Sequence, residues 1–344
     1  MKKQIVLFVS VLLSVTFFAS CASVQEKTSL MTRTFPASSI KEAVAATSGG
    51  SLTLTGDDAN SNATVEIYVS RNGWSAEKIK QTLDENYTLD IGVESGKLYA
   101  VAKPKGSFFN WNRQGLSISF KISVPKQVNS NLQTSGGSIS ISNLSGSQDF
   151  KTSGGSLSVD NVSGNTVGAT SGGSISVTNS KDNIKLATSG GSITAKDCSG
   201  TINLATSGGS INLSNLNGNI NAATSGGSIT ANNISGTFNT GTSGGSVNLS
   251  GISGNVNAKT SGGSMNVKIA SVSDYVKLSN SGSLNLSLPA GKSYNLNVKA
   301  NRVETSGMND FRGNMEKNSI TGTIGNGGPE INVKSSQNAR LSFE

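Results

Sequence analysis

Hydrophobic and polar positions recur with a fixed period in the central part of the chain. A Thr-Ser-Gly-Gly-Ser motif begins every 18 residues, and its eight copies start at Thr134, Thr152, Thr170, Thr188, Thr206, Thr224, Thr242 and Thr260. Counting the threonine as position 1, apolar residues stand at positions 6, 8 and 11, and usually at 15 and 17. Alternation with a period of two predicts short strands with one face turned inward. Because the spacing is 18 residues throughout, the pattern indicates a repeat architecture and not a low-complexity segment.

The repeat predicts an all-β, parallel β-helix-like solenoid with coils of about 18 residues. Each copy is expected to contain two short strands, separated by a turn near positions 10 to 14 and by the Gly-Gly turn at positions 3 and 4. The two glycines are expected to adopt positive φ and to allow close approach of the backbone. Stacked coils would align an aliphatic inner column and polar Ser and Asn ladders in a right-handed rod about 38 Å long.

An isolated copy of the motif, Thr47–Ser51, is interpreted as a first coil that a long insertion interrupts. Within the insertion, Glu66–Val69 predicts a strand. Ser75 is expected to cap one short helix with an apolar stripe of Ala76, Ile79, Leu83 and Tyr87. Such a helix would cover the open end of the solenoid.

The period fails after Lys277, although Ser281–Leu286 and Thr305–Gly307 look like decayed copies. The last stretch, Ile320–Glu344, predicts a hairpin-like cap. The predicted divisions are therefore a signal peptide (1–20), a tether (21–45), an N-terminal coil with a helix-containing insertion and cap (46–133), eight regular coils (134–277), and irregular coils with a C-terminal cap (278–344).

The first residues indicate export and lipidation. Two lysines precede an apolar run from Ile5 to Phe18, and small residues lead to Cys21 as in a lipobox, which predicts diacylation of that thiol. Ordinary signal-peptidase cleavage beside an incidental cysteine is the alternative. We therefore expect a lipoprotein of the cell envelope, anchored through lipid to the outer membrane, with the periplasmic and surface faces both open.

Composition narrows the chemistry. Histidine is absent, which removes the commonest general base and metal ligand. The formal charge of +8 is dispersed and arginine is missing between residues 134 and 277, so no nucleic-acid footprint is present. Cys198 stands where other copies carry Leu, Val or Ile, and is interpreted as a buried apolar residue. We expect neither a cofactor nor a metal.

The chain resembles the adhesin family of β-strand repeat proteins known as the domain of unknown function 4097. The resemblance rests on the repeated motif, on the strand Ile118–Pro125 that leads into the array, and on Gly327–Glu330 near the end. It implies a parallel β-helix-like fold and adhesion, and it brings no catalytic residues.

Two groups of residues are candidate sites. Asp160 and Asp197 lie two coils apart without Arg or His beside them, so we interpret them as solvated turn residues and not as a lyase or hydrolase pair. The turns also lack the regular aspartates that calcium-binding β-rolls use.

The second candidate is a turn-rich segment that gathers aromatic and cationic side chains suited to stacking on sugars or peptides: Lys105, Phe108, Phe109, Trp111 and Arg113. The alternative is that its aromatic residues pack against Trp74 and close the end of the solenoid.

These patterns predict a non-enzymatic, membrane-tethered, adhesin-like module that presents a repetitive polar surface to a glycan, a matrix component or an envelope protein. A structural spacer or scaffold of the envelope is the alternative. A β-helix polysaccharide lyase or hydrolase is less favoured.

Overall fold

The computed structural model describes residues 29–106 and 115–344, which form 24 strands and one α-helix. The strands before the regular array are β1 Met31–Pro36, β2 Glu42–Thr47, β3 Leu52–Gly56, β4 Asn62–Ser70, β5 Tyr87–Glu94, β6 Lys97–Pro104, β7 Ser117–Val124 and β8 Asn129–Thr134. A short 3-10 turn spans Ala37–Ser39, and helix α1 spans Ala76–Asn86.

The regular array contains β9 Ile139–Lys151, β10 Leu157–Thr170, β11 Ile175–Thr178, β12 Lys181–Thr188, β13 Ile193–Thr206, β14 Ile211–Thr224, β15 Ile229–Thr242, β16 Val247–Thr260 and β17 Met265–Asn280. The remaining strands are β18 Leu284–Leu288, β19 Tyr294–Lys299, β20 Arg302–Ser306, β21 Phe311–Met315, β22 Ser319–Ile324, β23 Glu330–Ser335 and β24 Asn338–Phe343.

Each regular coil pairs in parallel with the next, residue for residue. Between β13 and β14, Ile193 pairs with Ile211 and the register continues to Thr206 and Thr224. The predicted solenoid of stacked 18-residue coils is confirmed. Its inner column, from Ile139 to Met265, is buried throughout.

The strand layout within a coil differs from the prediction of two strands separated by a turn. β14 is a single strand of 14 residues that bends at Asn215 and Gly218, where φ is positive (54° and 127°). Pairing with the neighbouring coil continues through this corner, for example between Gly200 and Gly218. Only the coil beginning at Thr170 breaks there, between β11 and β12. The backbone turns while every coil keeps the ladder that satisfies its polar groups.

The Gly-Gly pair serves one of its two expected purposes, the close approach of neighbouring backbones. None of these glycines in the eight copies has a positive φ. The second glycine is required by space, because a Cβ on Gly209 would lie 2.1 Å from the carbonyl oxygen of Gly191 in the preceding coil. The first glycine is less constrained, since a Cβ on Gly208 would lie 3.5 Å from its nearest neighbour. Close approach was predicted correctly and positive φ was not.

The early motif copy stacks directly on the regular array. Thr47 pairs with Thr134, and Leu52 pairs with Ile139. The insertion then adds a further layer, because β6 and β7 pair with the outer edges of β2 and β3. The coil that comes first in sequence is therefore the second layer in space, as an interrupted coil requires.

The N-terminal end is finished by antiparallel strands and by the helix. β4 joins β7, β1 joins β4, and β5 joins β6, all in antiparallel fashion. Ser75 caps α1 by accepting a hydrogen bond from the backbone N–H of Lys78, and Leu83 is buried. The predicted helix is confirmed, and it lies against the edge strand β5.

β-structure begins earlier than the predicted tether allows. β1 and the start of β2 fall within residues 21–45, the segment interpreted as a tether. The pattern was missed because β1 is exposed except at Phe35, while the buried apolar residues of β2 are the alanines Ala43 and Ala45, which have little strand preference.

The C-terminal strands do not form the expected hairpin. β22 pairs antiparallel with β19, whereas β23 pairs in parallel with β19 on one side and with β17 on the other. The chain therefore returns and inserts its last two strands between layers that precede them in sequence. Both edges of β23 are satisfied by this insertion, which a hairpin with β22 would not achieve.

The two decayed copies of the motif occupy different places in the structure. Leu284 pairs with Met265, so the copy at Ser281–Leu286 continues the array. The copy at Thr305–Gly307 is out of register, because Thr305 pairs with Leu341 and so lies in an inner-column position instead of the turn. In the layer that β23 forms, Ser335 occupies the place of the motif threonine, which the sequence pattern did not reveal.

Candidate functional site

The motif threonines form a buried column of hydrogen bonds between coils. The hydroxyl of Thr206 donates to the carbonyl oxygen of Gly191 in the preceding coil (2.8 Å) and accepts from the N–H of Gly209 in its own coil (3.3 Å). The same donation extends from Thr47, bonded to Ile118, to Ser335, bonded to Gly282 (both 2.8 Å or less). These hydroxyls are internal, so they are structural and not available to a partner.

In several outward-facing polar columns, the side chains are likewise hydrogen-bonded to the neighbouring coil. The position-5 serine Ser210 accepts the N–H of Ser228, and Ser228 accepts that of Ser246. Corner amides form ladders, in which Asn215 donates to Asp197 and Asn233 donates to Asn215. Such columns stabilise the coils, as predicted for polar ladders.

One column of identical residues is exposed and unoccupied along the whole regular array. The second residue of the motif is an exposed serine in all eight copies, and none of these side chains makes a hydrogen bond within residues 29–106 and 115–344. We call this column the serine row: Ser135, Ser153, Ser171, Ser189, Ser207, Ser225, Ser243 and Ser261. Its hydroxyls recur at the strand spacing of about 4.8 Å. The row is the array's most regular set of free hydrogen-bonding groups.

Asp160 and Asp197, the two candidate catalytic aspartates, are held by hydrogen bonds or ion pairs at the corners of the coils. Asp160 accepts hydrogen bonds from Thr178 (2.7 Å) and Asn179 (2.9 Å), which lower the pKa of its carboxyl. Asp197 accepts from Asn215 and lies 3.6 Å from the Lys196 ammonium. Both carboxylates act as acceptors in the polar ladders. The described part of the chain also contains no group of three or more His, Cys, Asp or Glu residues that could hold a metal ion.

Cys198 is buried, as interpreted from its place in the repeat. Its thiol points at the backbone carbonyl of Lys196 (3.1 Å), and burial raises the pKa of the thiol. A raised pKa disfavours the thiolate, so the residue is suited to packing and not to nucleophilic chemistry.

The aromatic candidate segment is only partly described. Phe108, Phe109, Trp111 and Arg113 lie outside the described residues, as does the lipidation candidate Cys21. Lys105 is described and exposed, and its ammonium donates to the carbonyl oxygen of Asp84 in α1 (2.8 Å).

The described residues that flank the rest of that segment contact α1 and the residue after it. Lys105 contacts α1, and Leu116 donates its N–H to the Tyr87 hydroxyl (2.9 Å). Trp74, the expected packing partner, is partly buried, and two cations lie over its ring, Arg71 at 5.0 Å and Lys78 at 4.2 Å from the ring centroid. The ring and the two cations form an aromatic and cationic surface.

Within residues 29–106 and 115–344, α1 is the one α-helix, and no helix there is long and apolar enough to cross a bilayer.

Comparison with known families agrees with the fold. The model of the family described as Toastrack DUF4097 matches residues 174–338, which extend from the third regular coil to the inserted C-terminal layer. The resemblance to the domain of unknown function 4097 is thus confirmed over these residues. No curated protein matches the sequence.

Three solved structures align over most of the chain at low identity. They are a proposed cell adhesion protein from Clostridium sporogenes (10% identity, 91% of this chain and 98% of that chain, TM-score 0.21), a proposed adhesin from Bacteroides fragilis (12%, 91% and 96%, TM-score 0.23), and a proposed lipid binding protein from Parabacteroides distasonis (16%, 91% and 96%, TM-score 0.29). At these TM-scores the likeness carries no information on function.

Proposed function

We propose that the chain is a non-enzymatic, adhesin-like binding module, held at the cell envelope by a lipid on Cys21, that presents the serine row to a glycan or protein partner. The observation that supports this function is the row itself, with an exposed hydroxyl on every regular coil that no neighbouring side chain occupies. The coils beneath it are fixed in register by parallel pairing. The spacing of the hydroxyls is therefore set by the backbone.

A rigid row of weak contacts can bind through avidity. A single exposed serine contributes a hydrogen bond worth about 1 kcal/mol at most in water. Several such contacts on one rod bind a repetitive partner without a separate ordering cost for each, so their combined affinity exceeds that of any one. A repetitive polymer, such as a polysaccharide, fits this geometry better than a compact small molecule.

A second candidate is a spacer or scaffold of the envelope. It is favoured by the inter-coil use of the other polar columns, such as the bond from Asn221 to Asn203 (3.0 Å). In this function the columns only stabilise and solubilise the rod, and the serine row has no partner.

Substitutions within the serine row distinguish the two functions. A variant with Ser189, Ser207 and Ser225 changed to Ala removes free hydroxyls without touching an inter-coil bond, so its thermal stability is expected to remain that of the parent. The matched control changes Ser192, Ser210 and Ser228, whose hydroxyls accept backbone N–H groups of the next coil.

The readout is binding of the purified protein to a glycan array and to isolated envelope fractions. If the row is the binding surface, the row variant loses binding at unchanged stability, while the control loses stability. If the row variant and the parent bind equally well, or if neither binds, the array is a scaffold and the proposed binding function is wrong.

A further inference from the structure

The threonine column is interrupted at one described layer. Asn280 occupies the motif position between Thr260 and Ser335, as their strand pairing shows. The turn that follows it is one residue short, because Ser281-Gly282-Ser283 replaces Ser-Gly-Gly-Ser. Asn280 donates to the carbonyl oxygen of Ser283 and does not reach the preceding coil. Its buried side-chain oxygen Oδ1 is left without a hydrogen-bond partner.

A groove lies over this interruption. Its volume is about 380 Å³, and Asn280 is among the residues that line it. Three exposed serines, Ser261, Ser281 and Ser336, also line it, together with three exposed lysines, Lys259, Lys299 and Lys334. We call it the lysine groove. No acidic residue is among those that line it.

The lysines are placed by strand order and not by sequence proximity. Lys259 pairs with Ser279, Ser279 with Lys334, and Lys334 with Lys299, along four successive strands. Their attachment points therefore form a line about 14 Å long, three strand spacings. Insertion of β23 brings Lys334 between the other two.

The arrangement is electrostatically unfavourable without a partner. Like charges directly opposite on adjacent strands destabilise a sheet, and Lys334 and Lys299 are such a pair. None of the three lysines forms an ion pair within the described residues, whereas Lys268, on the same strand β17 as Ser279, pairs with Glu344. Glu330 on β23 is four residues from Lys334 and pairs with Tyr275 and Asn295 on the neighbouring strands, and it forms no ion pair with any described residue.

We propose that the lysine groove binds a linear acidic polysaccharide, whose carboxylate or sulfate groups contact Lys259, Lys299 and Lys334. This inference goes beyond the proposed function, because it adds a charged site at the end of the serine row, where Ser261 lines the groove. A line of cations suits a polymer of anions better than a single ion, and the exposed hydroxyls of Ser261, Ser281 and Ser336 along the groove suit the hydroxyls of sugars.

An anionic membrane surface is less suited to this groove. Peripheral binding to lipid combines basic residues with apolar side chains that enter the bilayer. The exposed large apolar residues of the described chain are Leu30, Met31 and Met315, and none of them lines the groove.

The test uses the purified protein and immobilised polymers that differ only in charge. Dextran sulfate and polygalacturonate carry sulfate and carboxylate groups, and unmodified dextran is the neutral control. The groove variant carries Lys259→Gln, Lys299→Gln and Lys334→Gln. The charge-matched control carries Lys80→Gln, Lys181→Gln and Lys185→Gln, three exposed lysines without ion pairs that lie away from the groove.

We expect both acidic polymers, but not dextran, to bind the parent, with affinity that falls as salt concentration rises. The groove variant should bind at least about tenfold more weakly, equivalent to the loss of about 1.4 kcal/mol, while the control variant should change by less than about twofold. Equal losses in the two variants would show attraction to net charge alone and would overturn the proposal. So would failure of the parent to bind either polymer.

Two competitors test whether the groove binds phosphate groups instead of a polysaccharide. Vesicles of phosphatidylcholine with phosphatidylglycerol, and inorganic phosphate, are used as competitors. If either displaces dextran sulfate from the groove at lower concentration than free polygalacturonate does, the groove is a phosphate site and the polysaccharide assignment is wrong. Loss of polymer binding in the groove variant but not in the serine-row variant would support the groove while contradicting the proposed role of the row.

Discussion

The hydroxyl of Thr206 donates to the carbonyl oxygen of Gly191, one coil away, at 2.8 Å. The N–H of Gly209 donates in turn to that hydroxyl, so one side chain satisfies backbone groups of two coils. This relationship explains why threonine opens the motif, whereas the glycine three residues later is required by the close approach of the preceding coil.

Replacing the motif threonine should cost stability through lost hydrogen bonds. Thr206→Val has a similar shape but leaves the carbonyl of Gly191 and the N–H of Gly209 unpaired in a buried site, which should lower the free energy of unfolding by about 1–3 kcal/mol. Thr206→Ser keeps both bonds and should lose about 1 kcal/mol or less. Chemical denaturation of the two variants measures the difference, and a loss in Thr206→Ser as large as or larger than that in Thr206→Val would contradict the importance of the hydroxyl.

The two motif glycines should respond differently to alanine. In Gly209→Ala the added Cβ would meet the Gly191 carbonyl oxygen at 2.1 Å, and both atoms belong to the backbone of paired coils. The strain should lower the free energy of unfolding by about 3 kcal/mol or more. Gly208→Ala, with 3.5 Å of space, should stay within about 1 kcal/mol of the parent. Similar melting temperatures for the two variants would contradict this steric account.

The inserted strand β23 should be essential to the C-terminal layers. Val333 is buried between β17 and β19, so Val333→Asp places an unpaired carboxylate in the core and should separate the layers on either side. Met315→Asp, at a half-exposed position of β21, should change the melting temperature little. Hydrogen exchange of β19 to β22 provides the measurement, and protection retained in Val333→Asp would mean that β23 is dispensable.

Stability should depend on pH through Asp160. Hydrogen bonds from Thr178 and Asn179 lower the pKa of this carboxyl in the folded chain. A lowered folded pKa adds stability that is complete above the ordinary carboxyl range and is lost as pH falls through the depressed value. Asp160→Asn should therefore be less stable than the parent at neutral pH, and the difference should shrink in acid. A difference in melting temperature that is constant from neutral to strongly acidic pH would refute it.

Membrane association should depend on Cys21. If the thiol carries the lipid anchor, Cys21→Ser should move the protein from the membrane fraction to the soluble fraction, since the acyl chains are then absent. Radiolabelled fatty acid should be incorporated in the parent only. Labelling that persists in Cys21→Ser would place the lipid elsewhere.

Sequence reasoning recovered the repeated part of the fold because identical coils report the same environment many times. The inner column from Ile139 to Met265 and the burial of Cys198 were visible in the period alone. The continuous strand around Asn215 and Gly218 was not, because residues that adopt positive φ in a bent strand resemble those of a turn.

The ends of the rod were harder to predict for a physical reason. Layer order depends on long-range pairing, which leaves no local mark in the sequence, so the insertion of β23 between β17 and β19 could not be inferred. The lysine groove depends on that insertion, which is why Lys334 was not singled out beside Lys299. The serines of the row, by contrast, are visible in the motif. The sequence could not show that they are free, because this depends on which polar columns form hydrogen bonds between coils.

The proposed function places binding on the serine row of the repeated coils, so affinity should depend on the number of coils. Removing residues 206–241 deletes two whole coils and joins Ala205 to Thr242 in register, and duplicating the same residues adds two. Neither change touches the lysine groove. Binding to immobilised neutral envelope polysaccharide, for which the lysine groove has no charge to contact, is measured for the three lengths. Affinity is expected to rise with coil number, whereas equal affinity at all three lengths, with each variant folded, would contradict binding by the serine row.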